Sequence, residues 1–142
     1  MKATELRIGN LVFYVGTEYH RPKPSKIVVV TNISDNKINT DTCTDGKYKG
    51  ISMSLLLDGI APIPLTEDWL LKLGFVFSLQ GIEYKTYIND KFRLSFGIEK
   101  FNEMEINQSP DFIVNCDINY VHELQNLYFA LTGKELQYSL GG

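Results

Sequence analysis

Two segments constrain the fold more than anything else in the chain. Pro62–Phe75 and Tyr120–Gly133 each read as a capped helix with one apolar stripe, and the residues between them read as strands. In the first, Thr66 is an N-cap, Glu67 and Asp68 complement the helix dipole, and Gly74 supplies a left-handed stop. Pro62 and Pro64 keep the residues before them extended. The helix is therefore confined to about Glu67–Leu73, burying Trp69, Leu70 and Leu73. A helix of two turns is unstable alone, so tertiary packing must hold it. The second helix runs from Asn119 or Tyr120 to Thr132, with Val121, Leu124, Leu127, Tyr128 and Leu131 at helical spacing and Gly133 as terminator.

Between the helices, Phe75, Phe77 and Leu79 alternate on one face of a strand, and Ile82, Tyr84, Thr86 and Ile88 on one face of the next. A two-residue Gln80-Gly81 turn sets Leu79 opposite Ile82, Phe77 opposite Tyr84 and Phe75 opposite Thr86. Phe92, Leu94, Phe96 and Ile98 then form an apolar face, which requires Ile88 opposite Phe92 and a three-residue Asn89-Asp90-Lys91 loop or a bulge. Glu103–Asn107 alternates again, and Phe112–Val114 is a last short strand or extended segment. A four-stranded antiparallel sheet covered on its apolar face by both helices accounts for these stripes.

The amino half reads as short strands punctuated by turns. Ile8–Val15 is a turn and a strand, and Lys26–Ile33, rich in β-branched residues, is a second. Ser34-Asp35-Asn36 turns the chain into Lys37–Asp41. A polar loop follows through Asp45–Gly50, then a strand and a helical turn over Ile51–Gly59, then an extended Ile60–Leu65. This order resembles a small SH3-like barrel. The expected architecture is α+β, with an SH3-like β subdomain over residues 1–65 and an α-β(4)-α subdomain over 66–142.

With 44% apolar and 22% charged residues in 142, the chain can bury a real core. Its longest apolar runs fall far short of a membrane span, and its amino end lacks a signal-peptide stretch, so a soluble cytoplasmic protein is expected. Cys43 and Cys116 lack neighbouring thiols and read as free in a reducing compartment. The net charge of −3 is unevenly placed. Residues 1–62 carry eight Lys/Arg against six Asp/Glu, and residues 63–142 carry six against eleven. The split suits an anionic partner for the amino half.

No Gly-x-Ser-x-Gly elbow, phosphate loop or His-Glu-x-x-His is present, and no cofactor or metal is expected. Glu99, Glu103, Glu105 and Asp111 are carboxylates of the kind a metal-dependent nuclease uses, but a solvated sheet face accounts for Glu103 and Glu105. His122, beside Glu123, reads as a locally bonded residue flanking the buried stripe before it reads as a general base, and His20 is no better placed for catalysis. The loop Glu18–Pro24 is the better candidate for binding. Arg21, Lys23 and Lys26 surround two prolines, with Tyr14, Tyr19 and Tyr48 as stacking candidates and Lys37, Lys47 and Lys49 extending the cationic set. Cations beside aromatics can hold phosphates and stack on bases of single-stranded RNA or DNA.

The segments 5–12 (Glu-Leu-Arg-Ile-Gly-Asn-Leu-Val), 62–75 and 120–133, taken in this order, resemble a loose family of small proteins encoded by bacteriophages, prophages and mobile elements. The resemblance spans nearly the whole chain and carries no catalytic residue. It implies a non-enzymatic binding protein, an anti-CRISPR-like antagonist acting on an RNA-guided nuclease or its guide RNA in the host bacterial cytoplasm. The alternatives are a phage structural or assembly protein, recognising a partner through the outer sheet face or the Trp69 region, and a metal-dependent nuclease.

Overall fold

The computed structural model describes residues 1–16, 26–35, 37–44, 47–89, 92–97, 103–109 and 112–139, the backbone alone being described for 42–44, 47–54, 56, 103–109 and 112–116. The architecture is α+β, built from antiparallel sheets and two α-helices. The chain divides into two units: Met1–Pro64 together with Tyr120–Gly142, and Leu65–Asn119.

The first unit is a five-stranded antiparallel sheet. Its strands are β1 (Leu11–Tyr14), β2 (Lys26–Ile33), β3 (Lys37–Thr44), β4 (Lys47–Leu56) and β5 (Ile60–Ala61), ordered β4-β3-β2-β1-β5. A 3-10 turn over Leu57–Gly59 links β4 to β5. Lys47, Tyr48, Lys49 and Gly50, expected as part of a loop over 45–50, supply the start of β4. Val12, Tyr14, Val28, Val30, Ile38, Leu55 and Ile60 pack with Leu6 into one core cluster. Leu11 and Val29 pair on the opposite face of β1 and β2 and are equally buried. The unbroken run Val28-Val29-Val30 is thus a strand buried on both faces, which is why it does not alternate.

Helix α2 (Val121–Thr132) packs on β1 within this unit, so the expected division at 66–142 and the placement of both helices on the second sheet are corrected. The cause is polar. The buried face of α2 includes Gln125 as well as Val121, Leu124 and Tyr128. Gln125 accepts from the Leu11 amide at 2.8 Å and donates to the Gly9 carbonyl at 3.2 Å. Gly9 has φ +95°, a backbone that side chains rarely adopt, and this presents its carbonyl beside the start of β1. Alongside, Asn10 Nδ2 donates to Asn126 Oδ1 at 2.8 Å, Asn126 donates to the Glu5 carbonyl, and the Arg7 amide donates to Asn10 Oδ1. Arg7 also pairs with Glu135 and lies 4.0 Å from the centre of the Phe129 ring.

The second unit opens with α1 (Glu67–Lys72). Thr66 Oγ1 accepts from the Trp69 amide as an N-cap, and Gly74 follows at φ +83°. Strands β6 (Val76–Gln80), β7 (Tyr84–Asn89), β8 (Phe92–Gly97), β9 (Glu103–Ser109) and β10 (Phe112–Asp117) then form a meander in sequence order. The expected four strands are five, because Phe112–Asp117 pairs fully with β9.

Both expected hairpin registers are corrected. The Gly81 amide donates to the Tyr84 carbonyl at 2.7 Å, so the first turn centres on Ile82-Glu83. Leu79 consequently faces Thr86, and an irregularity at Ser78 brings Phe77 opposite Tyr87. In the next hairpin Asn89 faces Phe92 and Tyr87 faces Leu94. A one-residue slip exchanges sheet faces, and burial decides it here: Tyr87 goes inward and Ile88 does not. The Tyr87 ring meets Phe77 and Phe96 edge-on at 5.7 and 6.2 Å, and Phe75 meets Phe92 at 6.3 Å.

Replacing Gln125 by Leu preserves helix propensity but leaves the Leu11 amide and Gly9 carbonyl without their partner. Urea unfolding is expected to show a loss of about 2–4 kcal/mol. Conversely, Thr40 is fully buried and its hydroxyl has no partner among the described residues. Thr40→Val should raise stability by about 1 kcal/mol in the same assay.

Candidate nucleic-acid interface

The β-ladder gathers part of the sequence-predicted cationic set. Lys26 begins β2 opposite Tyr14. At the end of β3, Thr42, Cys43 and Thr44 face Lys49, Tyr48 and Lys47 at the start of β4, and Thr42 also faces Val28 two residues beyond Lys26. The backbone positions of Lys26, Lys47, Tyr48 and Lys49 therefore share one end of the sheet. Lys26 is two strand spacings from β4, roughly 10 Å. Tyr19, Arg21 and Lys23 lie outside the described residues, in the stretch joining Gly16 to Lys26. Lys37 is not part of this group, since it faces Leu56 at the far end of β3. Lys26 and Lys37 are both exposed, whereas Tyr14 is buried in the core and offers no stacking surface.

This end of the sheet is cationic by composition. Arg21, Lys23, Lys26, Lys47 and Lys49 fall within its strand ends and the joining stretch, with Glu18 and Asp45 as counterweights. Cations so placed can neutralise phosphates along a strand of nucleic acid.

The carboxylates weighed for catalysis are distributed differently. Glu105 stands opposite Ser95 and Asn115, and Glu103 opposite Asp117, while Glu99 and Asp111 lie outside the described residues. Among the described residues no three of His, Cys, Asp and Glu are grouped as a metal site. Cys43 lies in β3 and Cys116 in β10; His20 lies outside the described residues.

Two clusters of ionisable groups support structure. Glu67 in the first turn of α1 takes an ion pair from Lys85 at 2.9 Å and a hydrogen bond from the Tyr87 hydroxyl. Burial, and then the Glu67 charge, raise the Tyr87 pKa, so the phenol stays protonated and keeps its donor. His122 is 2% exposed and lies against the Tyr120 ring, with centroids 5.8 Å apart and planes at 13°. Its Nδ1 has no partner among the described residues, and burial lowers its pKa despite the opposing charges of Glu123 and Glu5. It was expected at the edge of the apolar stripe and instead lies on the buried face of α2, beside Val121 and one turn before Gln125.

Exposed apolar surface is concentrated in the second unit. Leu71, Val76, Phe77, Leu79, Tyr84 and Ile82, the last 98% exposed, fall within fourteen consecutive residues. Trp69 is buried and takes no part in that surface.

No protein family, curated protein sequence or solved structure matches this chain. Among the described residues no helix is long and apolar enough to cross a membrane.

Because the side chains of Lys26 and Lys37 are exposed and away from the core, Lys26→Glu and Lys37→Glu should each change unfolding free energy by less than about 0.5 kcal/mol. Thermal melts of the two variants check this, and qualify both as probes of binding.

Proposed function

We propose that the protein acts by binding and not by catalysis, as a phage-type antagonist of bacterial defence that contacts the RNA of an RNA-guided nuclease in the host cytoplasm. The observation carrying this reading is the register of β2, β3 and β4, which sets Lys26, Lys47 and Lys49 at one sheet end, where the stretch containing Arg21 and Lys23 also joins β2. The strand order β4-β3-β2-β1-β5, with its 3-10 turn between β4 and β5, supports an SH3-like barrel as the scaffold for this surface. The mechanism is occlusion: a cationic rim holds phosphates and keeps the guide from its normal groove. The anti-defence assignment rests on the family resemblance carried by residues 5–12, 62–75 and 120–133.

A second reading, assembly with another phage protein, is favoured by a separate observation, the exposed apolar residues of Val76–Tyr84 on the edge strand β6 and its hairpin. Contiguous exposed apolar surface commonly marks protein contact. Copurification with virions would favour it over the first.

Fluorescence anisotropy with labelled guide RNA and with a single-stranded oligouridine, over a range of salt, separates these readings. The proposal expects binding that weakens as salt rises, with the RNA recovered at full length. Combined Lys26→Gln, Lys47→Gln and Lys49→Gln should weaken binding at least about tenfold and flatten the log–log salt slope by about 2, while Lys37→Gln changes little. Absence of binding, or an unchanged slope in the triple variant, would contradict it.

A further inference from the structure

The chain passes between its two units twice, at 64/65 and 119/120. Within the first unit the Val121 amide donates to the Ile63 carbonyl at 2.9 Å, and Pro64 bridges Tyr120. Within the second, the Leu65 amide donates to the Asn119 carbonyl at 2.9 Å. This clasp runs directly into the first turn of α2, and His122 is the second residue of that turn.

The surroundings of His122 favour its neutral ring. An imidazolium donates from both nitrogens, and Nδ1 has no acceptor among the described residues. Burial withholds water from the charge, and the amino end of α2 presents its positive dipole end to it. The charged groups facing the ring are Glu123 on α2, Glu5 at the end of a 3-10 turn over Ala3–Glu5, and the amino-terminal ammonium of Met1, with the Tyr120 phenol ring stacked beside it. The two carboxylates already hold backbone amides. Glu123 accepts from Tyr120 at 3.1 Å and Glu5 from Lys2 at 3.2 Å.

We propose that His122 is an acid-sensitive latch: a proton taken up from solvent by its buried ring releases the first turn of α2 and the Val121–Ile63 half of the clasp, while the second unit stays folded. This inference is independent of the nucleic-acid reading. Burial depresses the folded-state pKa of His122 below its ordinary value. The unfolded form therefore binds more protons between the two values, and stability is lost as pH falls below about 6.5 toward the folded pKa. Above that range the group contributes no pH dependence.

Amide hydrogen exchange followed by NMR on the full chain tests this, with intrinsic rates corrected for pH. Between about pH 7.5 and about pH 5, protection at Val121 and Leu124 should fall at least about tenfold, with the β7–β8 ladder unchanged. The His122 ring signals should titrate over the same range. His122→Phe, which keeps a buried ring, and His122→Gln should both abolish the pH dependence. Glu123→Gln should retain it, separating the histidine from its carboxylate neighbour. Protection independent of pH, a fall that persists in the His122 variants, or simultaneous loss across both units would overturn the proposal.

Discussion

The docking of α2 in the first unit depends on one side chain. The Gln125 amide takes the Leu11 N–H and the Gly9 carbonyl, so a helix formed near the end of the chain is docked by hydrogen bonds to the start of its first strand. Gln125 is 1% exposed, and at that depth a mismatched amide would cost more than an apolar side chain. The interaction is therefore a specificity device. It fixes the position of α2 along β1, whereas apolar contacts from Val121 and Leu124 would tolerate sliding by a turn. Asn10 and Asn126 repeat the logic one residue on, and Arg7 with Glu135 and Phe129 adds to the docking. Closing a loop of this length costs entropy that grows only slowly with length, so a few specific bonds together with apolar burial suffice to offset it.

That docking also explains why segments 5–12 and 120–133 are a single structural feature. Gly9, Asn10 and Leu11 in one, and Gln125 and Asn126 in the other, are the two halves of one lock. The second unit, inserted between β5 and α2, is a self-contained helix and meander. Its helix is clamped to β7 by Glu67 acting on Lys85 and Tyr87, with Trp69, Leu70 and Leu73 buried.

Local signals carried far in this chain. Thr66 caps α1, Gly133 stops α2 at φ +70°, and β2 spans Lys26–Ile33 as its β-branched run suggests. What was not legible was decided by tertiary choices. The hairpin after α1 offers two turns, Gln80-Gly81 and Ile82-Glu83. Only the burial of Tyr87 against Leu94 and Phe96 selects the second, at the cost of exposing Ile82. The destination of α2 was hidden for the opposite reason: a search for apolar stripes passes over Gln125 and His122, although they occupy the buried face. Of the candidate site, Lys26, Lys47 and Lys49 could be named from composition but not grouped, because grouping requires the β3–β4 register with its shift between Asp41 and Thr42. Lys37 looks equivalent in sequence and is separated by nearly the full length of β3.

Removing residues 120–142 tests the docking of α2 most directly, since it deletes one half of the lock and leaves every strand of both sheets in place. The account predicts that amide NMR signals of β1–β5 lose their dispersion in the shortened chain, and that adding the 120–142 peptide restores them. Retention of a folded β1–β5 sheet without the helix would contradict the central place given to Gln125.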